Sequence, residues 1–119
     1  MAPPRPGKPT RASRSGRPIM VLLDLLGRRW VLRIIWELRG EPLGFRALQA
    51  ACDGMSPSVL ALRLEELVDA GIAEPRDGTY TLTDEGRLLR EYLAPMRSWA
   101  ERWAARVAEN DAGPSPTAG

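Results

Sequence analysis

The chain has 119 residues, 17 basic and 15 acidic, with no histidine and one cysteine, Cys52. That length suits one domain with a small core, and the composition excludes an intrachain disulfide, a Cys/His zinc site and a Ser-His-Asp triad. No run of about 20 apolar residues offers a membrane span, and the N-terminus lacks the apolar stretch of a signal peptide, so the expectation is a cytoplasmic protein with no membrane partner, no metal and no cofactor.

The net charge of +2 hides an asymmetry. Arg5, Lys8, Arg11, Arg14 and Arg17 crowd the first residues with no acid among them. Without those five, twelve basic residues face 15 acidic ones, so a basic arm precedes a mildly acidic body. Residues 1–16 are rich in Pro, Gly, Ser and Arg and bury too little to order, which predicts a disordered tail. That tail either aids solubility or engages phosphates by charge.

Residues 17–109 read as one folded domain. Pro18 opens a short helix carrying Ile19, Leu22, Leu23, Leu25 and Leu26, and Gly27 ends it. A second helix, Trp30 to Arg39, places Trp30, Val31, Ile34, Ile35 and Leu38 on one face. Phe45–Cys52 forms a short helix, and Asp53-Gly54-Met55-Ser56-Pro57 breaks it. Ser56 is a good N-cap and Pro57 suits the first helical position of the next helix, about 56–70. Two helices joined so tightly have the layout of a helix-turn-helix, although plain structural hairpins share it. Cys52 reads as a small buried hydrophobe rather than a redox sensor, since the chain has no second thiol.

Asp77-Gly78 between two β-prone runs is the strongest hairpin signal in the chain, with Pro75 restricting its strand to an edge or a terminus. A hairpin directly after a helix-turn-helix is a wing. Thr83 caps a last helix with Gly86 in its first turn, and its apolar residues recur at threes and fours to Val107. Pro95 is expected to kink or divide this helix, and residues 110–119 read as a second disordered tail. The fold class is therefore mainly α with a small two-stranded wing.

Several stretches are similar to one known family. Leu23-Asp24-Leu25-Leu26-Gly27-Arg28-Arg29-Trp30, Phe45-Arg46-Ala47-Leu48, Met55-Ser56-Pro57-Ser58-Val59-Leu60, Arg63-Leu64, Glu66-Leu67, Leu82-Thr83, Gly86-Arg87 and Trp99 resemble the HxlR-type winged helix-turn-helix regulators over about residues 17–103. The resemblance implies a bacterial homodimer joined through its first and last helices, two recognition helices in successive major grooves, and wings toward the minor grooves. Many members carry a redox-sensing cysteine just before the proline that opens the first helix. Arg17 stands there. Ser58, Leu62 and Glu65 replace a usual lysine, glutamine and arginine of the recognition helix, and the wing is short.

On a helical wheel centred on Leu60, the outermost positions are Ser58, Leu62, Glu65 and Glu66, with Arg63 on the flank. A DNA-reading face normally presents Arg, Lys, Asn or Gln to bases and further cations to phosphates. The residues expected to meet double-stranded DNA are Arg28, Arg29, Arg46, Ser56, Ser58, Leu62, Arg63 and Arg76. Ordinary surface charge is the bland alternative for each cation. A second function keeps the fold and the dimer without the DNA. There a flat or apolar small molecule would bind, or be acted on, in an interface cavity lined by Leu22, Leu26, Trp30, Trp36, Tyr92, Met96, Trp99 and Trp103. Aromatic packing in a dimer core explains the same tryptophans. Enzyme chemistry has little support, with only Asp24, Glu37 and Tyr92 as titratable candidates. A third function is a partner-binding patch at Val59 and Leu62.

Overall fold

The computed structural model describes residues 17–112, so the basic arm and the segment after residue 112 lie outside the described residues. The elements are α1 (Pro18–Leu26), α2 (Val31–Glu37), α3 (Phe45–Ala51), α4 (Pro57–Asp69), β1 (Ala73–Arg76), β2 (Thr79–Leu82) and α5 (Asp84–Ala112). Together they form a winged helix-turn-helix.

One continuous core ties α2 to the motif and the wing. Val31, Ile34, Ile35 and Leu38 meet Leu48, Cys52, Met55, Leu60, Leu64, Leu67, Ile72, Ala73 and Leu82, all buried. The threes-and-fours spacing of α2 and α4 is what lets them share this interior. The second helix is shorter than its apolar pattern suggests, because Trp30 stands outside it in a left-handed conformation with φ 79°. That backbone is strained for a bulky residue. Here the Trp30 ring packs against the core and its carbonyl accepts from the Ile34 N–H at 2.9 Å.

The hairpin pairs Ala73 with Leu82 and Arg76 with Thr79. Asp77 and Gly78 both lie in the left-handed region, at φ 52° and 80°. This is the tight turn whose twist matches the strands. Tyr80 exchanges both backbone hydrogen bonds with Leu43, at 2.8 and 3.0 Å, on the side away from Pro75. Pro75 is thus on the outer strand, where its missing N–H leaves no ladder bond unmade.

Thr83 fastens α5 to this unit. Its hydroxyl donates to the Gly71 carbonyl at 2.6 Å and accepts from the Gly86 N–H at 3.0 Å. Gly86 is required by close approach, since a Cβ there would lie 2.0 Å from the Ile72 carbonyl oxygen. The helix then runs through Pro95 without division and is described as far as Ala112, past the change in composition at 110. Proline removes one backbone bond, and the surroundings of Pro95 are open enough for water to satisfy the carbonyl left over. Every residue from Ala94 to Asp111 is exposed.

Candidate nucleic-acid interface

The turn of the helix-turn-helix is held from three sides. Asp53 and Gly54 adopt φ 60° and 69°, and the Gly54 N–H reaches back to the Gln49 carbonyl at 2.9 Å. The Gln49 amide donates to the Met55 carbonyl at 2.9 Å. From α2, the Arg33 guanidinium donates to the Ala51 carbonyl at 2.6 Å and to Asp53 at 3.1 Å, while Glu37 accepts from its Nε at 2.8 Å. Hydrogen bonds to Glu37 and Asp53 push the Arg33 pKa further up, so this clamp stays charged. After the turn, Ser56 Oγ accepts from the Val59 N–H at 3.4 Å and lies 3.0 Å from Ser58 Oγ. A free α4 N-terminus with two hydroxyls is a suitable phosphate contact.

The inner face of α4 departs from the wheel. Glu66, expected among the outermost positions, is 2% exposed. Arg28 donates to one of its carboxylate oxygens, and Arg63 donates to the other at 2.9 Å. Asp24 holds the far side of Arg28 at 3.1 Å, and the Arg63 Nε donates to the Arg29 carbonyl at 2.8 Å. The wheel fails because the buried sector of α4 extends past the leucine stripe onto the α1–α2 corner. A carboxylate is tolerated there only because two guanidiniums satisfy both oxygens. The i, i+3 spacing of Arg63 and Glu66 was the available signal.

The expected DNA-contacting cations therefore divide. Arg28 and Arg63 are drawn inward and act as struts. Arg29 and Arg46 are exposed, with the Arg29 guanidinium 5.6 Å from the Trp30 ring centroid. Arg76 on the wing is exposed and pairs loosely with Glu74 at 3.1 Å. Ser56, Ser58, Leu62 and Glu65 face solvent on α4. This is a modest reading face of hydroxyls, one apolar side chain and a carboxylate, with exposed cations elsewhere between α1 and α2, on α3 and on the wing.

A single protomer does not assemble the eight residues expected around a ligand. Leu26 and Trp30 pack against the core. Leu22 is half-buried. Tyr92, Met96, Trp99 and Trp103 stand exposed on α5, with the Trp99 and Trp103 rings stacked at 5.8 Å and 12°. Trp36 lines a groove between α2 and α5 of about 590 Å³, whose other walls are Leu32, Ile35, Arg90, Leu93, Ala94 and Arg97. None of those six was singled out as a ligand contact from sequence, because a cleft between distant helices leaves no local pattern. Asp24 and Glu37 are committed to Arg28 and Arg33. Cys52 is fully buried, and burial pushes its thiol pKa up, away from the reactive thiolate.

This geometry defines a winged helix-turn-helix of the kind that transcriptional regulators use. The HxlR-like helix-turn-helix family model matches residues 25–108, and the chain belongs to that family. It is 33% identical over 88 residues to the uncharacterized HTH-type transcriptional regulator YvaP of Bacillus subtilis (strain 168), covering 68% of this chain and 82% of that one. It is similar to the crystal structure of quinone-bound YodB from B. subtilis, with TM-score 0.67 and 33% identity, covering 71% and 96% of the two chains. A possible HxlR family transcriptional factor from Thermoplasma volcanium GSS1 aligns with TM-score 0.64 and 29% identity over 71% of this chain and 82% of that chain.

Proposed function

We propose that this regulator acts as a cytoplasmic homodimer that presents two copies of α4 to successive major grooves of double-stranded DNA. The observation that carries the reading is the solvent-facing N-terminal half of α4, with Ser56, Ser58 and Leu62 outward, together with the exposed Arg29 between α1 and α2, Arg46 on α3 and Arg76 on the wing. Ser56, Ser58 and the α4 N-terminus position the helix on phosphate. Leu62 meets an apolar base edge such as a thymine methyl. The three exposed arginines supply charge per half-site, while Arg28 and Arg63 hold the helix in place through Glu66. Sequence discrimination is then weak at each base, and phosphate contacts together with DNA shape carry much of the affinity.

The dimer reading rests on α5 and α1. Leu88, Tyr92, Met96, Trp99, Trp103 and Val107 form an exposed stripe at helical spacing, and Ile19 and Leu23 are exposed on α1. An apolar surface of that length calls for a partner, and a second copy supplies the same stripe. A second reading adds a flat ligand between two such stripes, supported by the stacked Trp99 and Trp103 rings and by the quinone bound in the YodB neighbour. No reaction is assigned to the protein.

A fluorescence-anisotropy titration on the DNA upstream of the chain's own coding region, across a salt series, tests the regulator. Affinity should fall steeply with salt, with a log–log slope of about −0.9 for each phosphate neutralised. Absence of binding at low salt overturns the assignment.

A further inference from the structure

The groove between α2 and α5 combines two features seldom placed together without a use. Its floor is apolar, made by Leu32, Ile35, Leu93 and Ala94, and its rim is cationic, made by Arg90 and Arg97 beside Trp36. Leu32 and Trp36 remain substantially exposed, so the other described residues do not close over the groove.

The rim is short of counter-charge. Arg90 makes no ion pair among the described residues, and its Nε is buried without an acceptor. Arg97 lies 5.2 Å from the Trp36 ring centroid and pairs only with the exposed Glu101 at 3.3 Å. Arg39 covers the same indole at 3.8 Å. Two guanidiniums thus lie against the Trp36 ring, Arg90 lines the same groove, and no carboxylate is among the groove's lining residues.

We propose that this groove is a binding site for a small aromatic carboxylate. The flat apolar body lies on Leu32, Ile35, Leu93 and Ala94 against the Trp36 edge. The carboxylate meets the outer edges of Arg90 and Arg97, where a planar fork of donors matches its two oxygens. The volume is within the range of about 300–1,000 Å³ that small-molecule sites occupy. A neutral molecule of the same shape leaves Arg90 without a counter-charge and Arg97 with only the exposed Glu101, and binds less well. The basic N-terminal arm is a poor occupant for the same reason of charge.

The site is separate from the α5 stripe of Tyr92, Met96, Trp99 and Trp103, none of which lines it. It does reach the DNA-binding unit. Leu32 and Trp36 flank Arg33 on α2, and Arg33 clamps the turn before α4 through Ala51 and Asp53. A ligand wedged between α2 and α5 is therefore placed to change the tilt of α4. This effector role rests on the regulator reading; the binding itself does not.

Calorimetry on the full chain without DNA tests the binding, with naphthoate as the probe and naphthalenemethanol as its neutral counterpart. Saturable binding of naphthoate is expected, about tenfold tighter than the alcohol, a difference of about 1.4 kcal/mol. Arg97→Gln, at an exposed position, should remove most of that preference, and Arg90→Gln should do the same. Trp99→Phe and Trp103→Phe should leave it unchanged. Equal affinity for acid and alcohol overturns the site, as does loss through the Trp99 or Trp103 variants rather than Arg97→Gln. Binding that appears only when Trp99→Glu and Trp103→Glu break the dimer shows the groove covered by a second copy, which also overturns it. Naphthoate binding with no DNA binding under any salt condition keeps the site and removes the regulator reading.

Discussion

The DNA-binding unit and the outer half of α5 are built on opposite terms. From Val31 to Thr83 the chain satisfies itself: the leucines of α4 meet α2 and the wing, Glu66 has both oxygens bound, and Thr83 uses its hydroxyl twice. From Ala94 to Asp111 every residue is exposed, Met96, Trp99, Trp103 and Val107 included. The difference separates a part packed on its own contacts from one whose apolar side chains stay exposed, the surface proposed for a second copy. A long helix with an uncovered aromatic stripe is stable only when that stripe is buried elsewhere.

The largest effect is expected where the self-sufficient unit is most dependent on one group. Glu66→Ala leaves Arg28 and Arg63 facing each other across the α1–α4 contact with no carboxylate between them. Breaking a buried pair from one side typically costs about 3–5 kcal/mol, and the partial exposure of both arginines puts this case toward the lower end. Urea unfolding at fixed protein concentration reads the loss as a lower midpoint with little change in slope. A midpoint unmoved by Glu66→Ala would make the network ornamental and the two regions less different than they look.

The next effect belongs to the other region. Trp99→Glu with Trp103→Glu places two carboxylates in the stripe, and the proposed dimer should separate into monomers in sedimentation or light scattering. The circular dichroism of the DNA-binding unit should survive, because neither residue touches its core. Loss of DNA affinity should follow from losing one half-site. A variant that stays dimeric places the interface elsewhere, and the comparison between the regions then fails at its second term.

These two cases also explain what was legible in the sequence. The wing could be read because Asp77-Gly78 is a local device: two residues decide the turn, whatever lies around them. The same holds for Ser56-Pro57 at the head of α4 and for Thr83 with Gly86 at the head of α5. Glu66 was misread because its environment is non-local. A wheel centred on Leu60 knows the period of α4 but not that the α1–α2 corner lies beside it, carrying Arg28 from 38 positions away in the chain. The groove at Arg90 was invisible for the same reason, being made by residues of α2 and α5 that share no local pattern. Trp30 shows a third kind of failure. Its apolar spacing fits α2, yet packing against the core sets its backbone outside the helix at φ 79°.

The smallest effect separates two arginines that the sequence treats alike. Arg46 is exposed on α3 and makes no ion pair among the described residues, whereas Arg63 is an internal strut. Arg46→Ala should therefore leave the unfolding midpoint within about 0.5 kcal/mol of the parent, as surface changes usually do. Its consequence should appear only on DNA, where removing a phosphate contact weakens binding almost uniformly across sequences and lowers the salt slope by about one. Arg63→Ala should behave oppositely: a measurable loss of stability, with Glu66 left half-satisfied, and a DNA defect that grows as α4 loosens rather than one proportional to salt. If Arg63→Ala lowered the salt slope while leaving stability untouched, the strut assignment would be wrong and Arg63 would return to the phosphate-facing set. The internal bonds of Arg63 to Glu66 and to the Arg29 carbonyl make the first pattern the expected one.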